Sequence, residues 1–246
     1  MKDPTLDIAN KMQHVIVFGA NGTIGSALVH ELAQRYPLAQ ISAVSRQSTH
    51  FSATNVQSYV VDYLNEAQLN DLAIQLPTID WLIIATGILH DDTAKPEKSI
   101  RDFSAEKFAH VYEVNVIVPA LITKYFMPKL AKHQPVKLAA LSARIGSISD
   151  NRLGGWYAYR ASKAALNMLL KTLSIELKRS NPLSVVVGLH PGTVDSPLSK
   201  PFQAHIAKEN LFTPAKAATQ LIDVLEGLTS EHTGNCYAFD GCLIEP

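Results

Sequence analysis

The chain has 246 residues, 47% of them hydrophobic, and its 22 lysines and arginines balance 22 aspartates and glutamates. A chain this long suits one large α/β domain or two small ones and buries roughly 70–75% of its unfolded surface, so it needs no disulfide or metal staple. Zero net charge excludes a global pull toward nucleic acid or an acidic membrane, and Cys236 and Cys242 have no metal-type partner spacing and suit a reducing compartment.

Residues 1–12 form a polar stretch without the apolar run of a signal peptide, which makes a tail the expectation. Beyond it, apolar runs alternate with helical patterns, the mark of a parallel sheet covered on both faces. HVIVFG (14–19) reads as a buried strand, and 23–35 as a helix with Ile24, Leu28, Val29 and Leu32 on one face. QISAVS (40–45) and VQSYVVD (56–62) read as strands, 65–76 as a short helix and DWLIIATG (80–87) as a further strand. The longest apolar stretch, 81–89, is far too short to span a bilayer, so a cytoplasmic protein is expected. A long helical stretch over 104–132, the strand VKLAALS (136–142) and a helix from 157 to about 179 follow. The strand 183–192, a helix over 214–227 and the strand NCYAF (235–239) end the pattern. About seven strands with helical crossovers and no linker predict one domain over 13–246, a doubly wound (Rossmann) parallel sheet with helices on both faces.

FGANGTIGSALV lies where the first strand becomes a helix. Gly19, Gly22 and Gly25 there let the backbone turn sharply, approach a pyrophosphate and pack helix on strand, with Asn21, Thr23 and Ile24 between them. The helix start then offers free N–H groups and a positive dipole end to phosphate, although glycines also serve plain turns. The second strand ends in Ser45 and Arg46, with no carboxylate for a ribose 2′-hydroxyl. Arginine with serine beside it suits a 2′-phosphate, so NADP(H) is preferred over NAD(H).

In GWYAYRASKAALNML (155–169), Tyr159 and Lys163 stand four apart and share a helix face, whereas Tyr157 is six from the lysine. Taken alone, such a pair fits an ordinary amphipathic helix flank better. Asn115, in EVNVIVPAL, precedes Pro119 by four, and proline has no N–H for the Asn115 carbonyl, which is free to hold a water or a lysine. Neither H-E-x-x-H nor a Cys/His cluster occurs, so no metal site is expected, and the missing G-x-S-x-G counts against an α/β-hydrolase.

With the Gly-rich turn, YRASK (159–163) and HPGTVDSP (190–197) in order, the chain resembles the short-chain dehydrogenase/reductase family over about 12–246. GSISDNRLGGWYAYRASKAALN and GNCYAFDG are most similar to its C-factor-like and sniffer-like carbonyl reductase branch. The resemblance implies that Tyr159 protonates a carbonyl that receives hydride from NADPH, that Lys163 also holds the nicotinamide ribose, and that Asn115 supports a water relay. It further implies that Pro191, Gly192 and Thr193 orient the nicotinamide, with Ser196 beside them, and that Asp62 contacts adenine. It also implies a homodimer or homotetramer, through the helices at 104–132 and 157–179.

Three departures stand out. The turn is G-x-x-G-x-x-G, with Thr23 in the usual second-glycine place, and Ile84-Ala85-Thr86-Gly87 replaces Asn-Asn-Ala-Gly, retaining Gly87. The family serine stands three before a glycine, which from Gly146 falls on Ala143; Ser142 is taken for the role, with Ser147 as fallback. A small-molecule carbonyl or alcohol is the expected substrate, its pocket built from 88–103, 147–156 and 197–212. A dinucleotide-binding sensor with little turnover is the alternative. The glycine spacing also admits a nucleotide-sugar epimerase, for which the C-terminal part leaves little room.

Overall fold

Apolar strands of four to six residues, buried on both faces, form the centre of the sheet, as parallel strands flanked by helices must. The computed structural model describes residues 12–91 and 95–246. Residues 1–11 of the expected tail lie outside that range, and Met12, its last residue, is buried in the core.

The strands are β1 (His14–Phe18), β2 (Gln40–Ser45), β3 (Val56–Val60), β4 (Trp81–Ile84), β5 (Lys137–Leu141), β6 (Val185–His190), β7 (Thr193–Val194), β8 (Leu211–Phe212), β9 (Cys236–Ala238) and β10 (Leu243–Ile244). The main sheet has eight strands in the order β10-β9-β6-β5-β4-β1-β2-β3, and β7 pairs with β8 apart from it. All main-sheet pairings are parallel except that of β10 with β9, the edge strand that the sequence pattern did not announce. In register, Val17 stands between Ala43 of β2 and Ile83 of β4. Alternation divides β1 between two cores: Val15 and Val17 join one, Ile16 and Phe18 the other.

The helices are α1 (Thr23–Arg35), α2 (Glu66–Gln75), α3 (Ala105–Tyr112), α4 (Val118–Phe126), α5 (Tyr157–Ser180) and α6 (Pro214–Gly227). α1 and α6 supply Leu28, Leu32, Leu221 and Leu225 to the first core; α2, α4 and α5 supply Leu69, Ile122 and Leu166 to the second. The chain winds outward from β1 through β2 to β3, then returns to place β4 on the other side of β1. That reversal opens a crevice at the strands' C-terminal ends, where doubly wound sheets bind ligands.

The helical stretch expected over 104–132 is interrupted. Glu113–Ile117 forms a π-helical turn between α3 and α4, with the Val118 N–H reaching back to the Glu113 carbonyl. Pro119 follows, has no N–H to give and displaces the regular ladder, the local cause of the wider turn. A 3₁₀ turn, Met127–Lys129, then ends the helical region early. α5 begins without a side-chain cap of its own, because Trp156 is left-handed (φ 51°, ψ 46°). The buried Glu97 takes over: its backbone carbonyl accepts from Trp156 N at 2.6 Å and its carboxylate from Ala158 N at 3.3 Å. A carboxylate there satisfies a first-turn donor and opposes the helix dipole. Among the described residues no helix is long and apolar enough to cross a membrane.

Candidate active site

The turn after β1 is set by contacts that leave no room for side chains. Gly19 has φ +82°, and a Cβ on it would stand 2.8 Å from the Ala85 carbonyl carbon of the chain leaving β4. A Cβ on Gly25 would overlap the Gly19 carbonyl, so the first and third glycines touch and fix α1 against β1. Gly22 donates to the Gly19 carbonyl at 2.9 Å and stands at the N-cap of α1 with no side chain to cap it. The first-turn N–H groups of α1 are therefore available for an anion. The buried Tyr63, which sequence reading missed, props the turn: its hydroxyl accepts from Gly19 N at 3.0 Å and donates to the Val44 carbonyl at 2.9 Å. Burial pushes that phenol up to about 12.

Asn21, Gly22, Thr23, Ile24, Thr86 and Gly87 line one end of a cavity of about 970 Å³. Thr86 Oγ1 is buried there with no hydrogen-bond partner among the described residues. An uncapped helix start, a side-chain-free cradle and an orphaned hydroxyl fit a phosphate-bearing dinucleotide.

The expected adenine-side residues lie outside the cavity. Ser45 is buried and donates to the Gln47 carbonyl at 2.6 Å, so its hydroxyl serves its own loop. Arg46 is exposed, and the exposed Asp62 accepts from Leu64 N at 3.0 Å.

Tyr159 and Lys163, one turn apart at the start of α5, both line the cavity, with the ammonium 5.7 Å from the phenol ring centroid. Lys163 Nζ donates to the Leu141 carbonyl at 2.8 Å. Burial lowers the lysine to about 8 and raises the tyrosine to about 12, because each loses solvation of its charged form. A Cβ on Gly87 would stand 3.2 Å from Lys163 Nζ and 3.4 Å from Asn115 Oδ1, so the bare glycine lets the two converge. Tyr157, on the far side of the helix, is partly exposed.

Asn115, in the π turn, is fully buried. Its amide clasps Ile88, accepting from the backbone N–H at 2.8 Å and donating to the carbonyl at 2.8 Å, and also donates to Ser162 Oγ at 3.0 Å. It thus ties the segment after β4 to α5. Ser142, as expected of it, lines the cavity, and its hydroxyl donates to Asn167 Oδ1 at 2.6 Å. Ala143 lines the cavity beside it, whereas Ser147, the fallback, is buried and holds Asp150 N at 3.1 Å.

Pro191, Gly192, Thr193 and Ser196 also line the cavity. A Cβ on Gly192 (φ +73°) would press 2.7 Å from the Phe212 ring. Other lining residues carried weaker sequence signals. Phe202, in the 3₁₀ turn Lys200–His205, packs its ring 4.8 Å from that of Trp156 and 5.7 Å from that of His90. Arg144 and Arg152 stand at the exposed rim with Asp150 and Leu153. His190 was visible in HPGTVDSP but held no motif position.

The short chain dehydrogenase family matches residues 13–207. The 1-hydroxy-2-glutathionyl-2-methyl-3-butene dehydrogenase of Rhodococcus sp. (strain AD45) is 34% identical over 239 residues, 95% of this chain and 100% of that protein. The C-signal of Myxococcus xanthus is 30% identical over 144 residues, 58% of this chain and 81% of the other. Among solved structures, the carbonyl reductase Sniffer of D. melanogaster superposes with a TM-score of 0.81 at 21% identity, covering 96% of this chain and 100% of that one. An NADPH-bound carbonyl reductase from chicken fatty liver gives 0.82 at 23% identity, covering 96% and 94%.

Proposed function

Because the chain belongs to the short-chain dehydrogenase/reductase family of oxidoreductases, which use a nicotinamide dinucleotide, we propose that it is an NADPH-dependent carbonyl reductase whose general acid is Tyr159. The observation that carries this reading is the Tyr159–Lys163 pair facing the same cavity as the uncapped glycine turn. When bound, the reduced dinucleotide supplies the hydride that goes to the carbonyl carbon. Tyr159 gives its hydroxyl proton to the oxygen that gains the electron pair of the broken C=O π bond. A phenol held protonated by burial is in the state this direction requires. Lys163, its ammonium near the ring, favours the phenolate left behind and holds the ribose. Asn115 anchors the water path that returns a proton, its carbonyl lacking a donor from Pro119.

Gly19, Gly22 and Gly25 shape the phosphate turn; Arg46 holds the 2′-phosphate that favours NADP(H), with Asp62 at the adenine. Pro191, Gly192, Thr193 and Ser196 seat the nicotinamide. Supporting an apolar substrate are the walls of Leu89, Trp156, Leu198 and Phe202. We place this site in one domain over 13–246 of a cytoplasmic homodimer or homotetramer. Ile117, Met168 and Ile175, exposed on the π turn and α5, support that assembly.

The test is NADPH oxidation by the purified protein over a panel of aldehydes and ketones. Turnover that disappears in Tyr159→Phe supports the reading. Turnover that persists in the variant overturns Tyr159. Tight dinucleotide binding with no turnover on any carbonyl would instead favour the sensor, the reading to which the serine committed to Asn167 and the likeness to C-signal lend weight.

A further inference from the structure

Two side-chain polar atoms of cavity-lining residues are buried without a partner among the described residues: Thr86 Oγ1 and His190 Nδ1. Thr86 belongs to the dinucleotide end, since its backbone N lies 3.0 Å from the Cβ position of Gly19. His190 is the last residue of β6, directly before Pro191. A ring nitrogen buried in a cavity wall without a partner is costly unless a ligand completes it.

Strand and helix geometry place the ring. A Cβ on Gly188 would lie 3.2 Å from Ser142 Cβ and 3.3 Å from Asn167 Oδ1, so that face of β6 looks toward α5. His190, two residues on, projects from the same face. His190, Tyr159 and Lys163 line the same cavity. Meanwhile Ser142 gives its hydroxyl to Asn167, and Ala143 on the cavity wall has none to give.

We propose that His190 donates a ring N–H hydrogen bond to the oxygen of the substrate carbonyl, acting beside Tyr159 where the Ser142 hydroxyl proton is already given to Asn167. The proposal rests on the carbonyl reductase reading above. Burial, with Arg144 adding to it and Asp240 opposing it, holds the imidazole down to about 4. It is therefore neutral at physiological pH, a donor through one N–H that keeps its proton while Tyr159 transfers its own.

Acetophenone, whose aryl body matches the Trp156 and Phe202 wall, is the probe. His190→Ala is expected to lower kcat/KM about 100-fold, the usual scale for one donor to a developing oxyanion, with the dissociation constant for NADPH changed less than threefold. His190→Asn, which retains a donor, keeps more than His190→Ala. Ala143→Ser in the His190→Ala background restores at least tenfold, by putting a hydroxyl on the same wall. Independently of turnover, adding acetophenone to the NADP⁺-saturated protein is expected to shift the ring ¹⁵N resonances assigned to His190. The proposal is overturned by unchanged kcat/KM in His190→Ala, by a loss confined to dinucleotide affinity, by absent rescue, or by ring resonances indifferent to the ketone. Failure of the reductase reading looks different: the wild-type protein itself would turn over no carbonyl.

Discussion

The same burial moves Tyr159 and Lys163 in opposite directions, the phenol up to about 12 and the ammonium down to about 8. Both shifts penalise charge, so the empty pair sits nearer neutrality than two solvated side chains would. Tyr159→Phe removes the transferable proton but leaves the ring in its packing. Turnover should fall by about 10²–10⁴-fold, while titration with NADPH gives a dissociation constant within a few-fold of wild type. Arg46 is exposed and outside the cavity, so the hold on a 2′-phosphate proposed for it is one of charge. Arg46→Asp should weaken NADPH about tenfold or more and NADH far less, as fluorescence titration would show; equal losses would remove the 2′-phosphate role. At this scale the sequence exposed the Tyr159–Lys163 pair through its four-residue spacing. It concealed His190, Glu97 and Tyr63, because their significance lies in partners 19 to 61 residues away or in a buried nitrogen that has none.

Among the elements, strands and helices were legible wherever burial repeats regularly: β2 over 40–45 and α6 over 214–227 occupy the residues their patterns marked. The π turn was not, because hydrophobic periodicity averages over several residues whereas Pro119 alters a single hydrogen bond. β10 was hidden for another reason, a two-residue edge strand being too short to show any period. The turn between β1 and α1 makes a sharp test of packing. Gly25→Ala would set a methyl against the Gly19 carbonyl, backbone against backbone, with no flexible end to yield. A loss of about 1–3 kcal/mol in stability is expected, measured by denaturant unfolding, together with weaker dinucleotide binding because the α1 N–H groups move with the helix.

For the whole molecule, the depressed lysines set a pH dependence. Lys163 and Lys137 are both lowered to about 8 by burial, the second with its ammonium on the Leu225 and Glu226 carbonyls at the end of α6. Between pH 8 and about 10.5 the unfolded chain therefore binds more protons than the folded one, and stability rises with pH by about 1.4 kcal/mol per unit for each such lysine. The buried phenols of Tyr63 and Tyr159 have the opposite sign, ionising first in the unfolded chain, so the gain reverses above pH 10. Thermal unfolding of the dinucleotide-free protein should thus show a higher midpoint at pH 9.5 than at pH 7.5, and Lys163→Met should flatten the rise. Glu97 has a consequence of another kind. It grips Trp156 and Ala158, so the segment around Glu97 is fastened to a cavity-lining residue and to the first turn of the helix bearing Tyr159. In evolutionary currency the two are one heritable block: a loop transplanted from a relative must bring its own acceptor for those amides, and selectivity can drift only as far as the helix start travels with it.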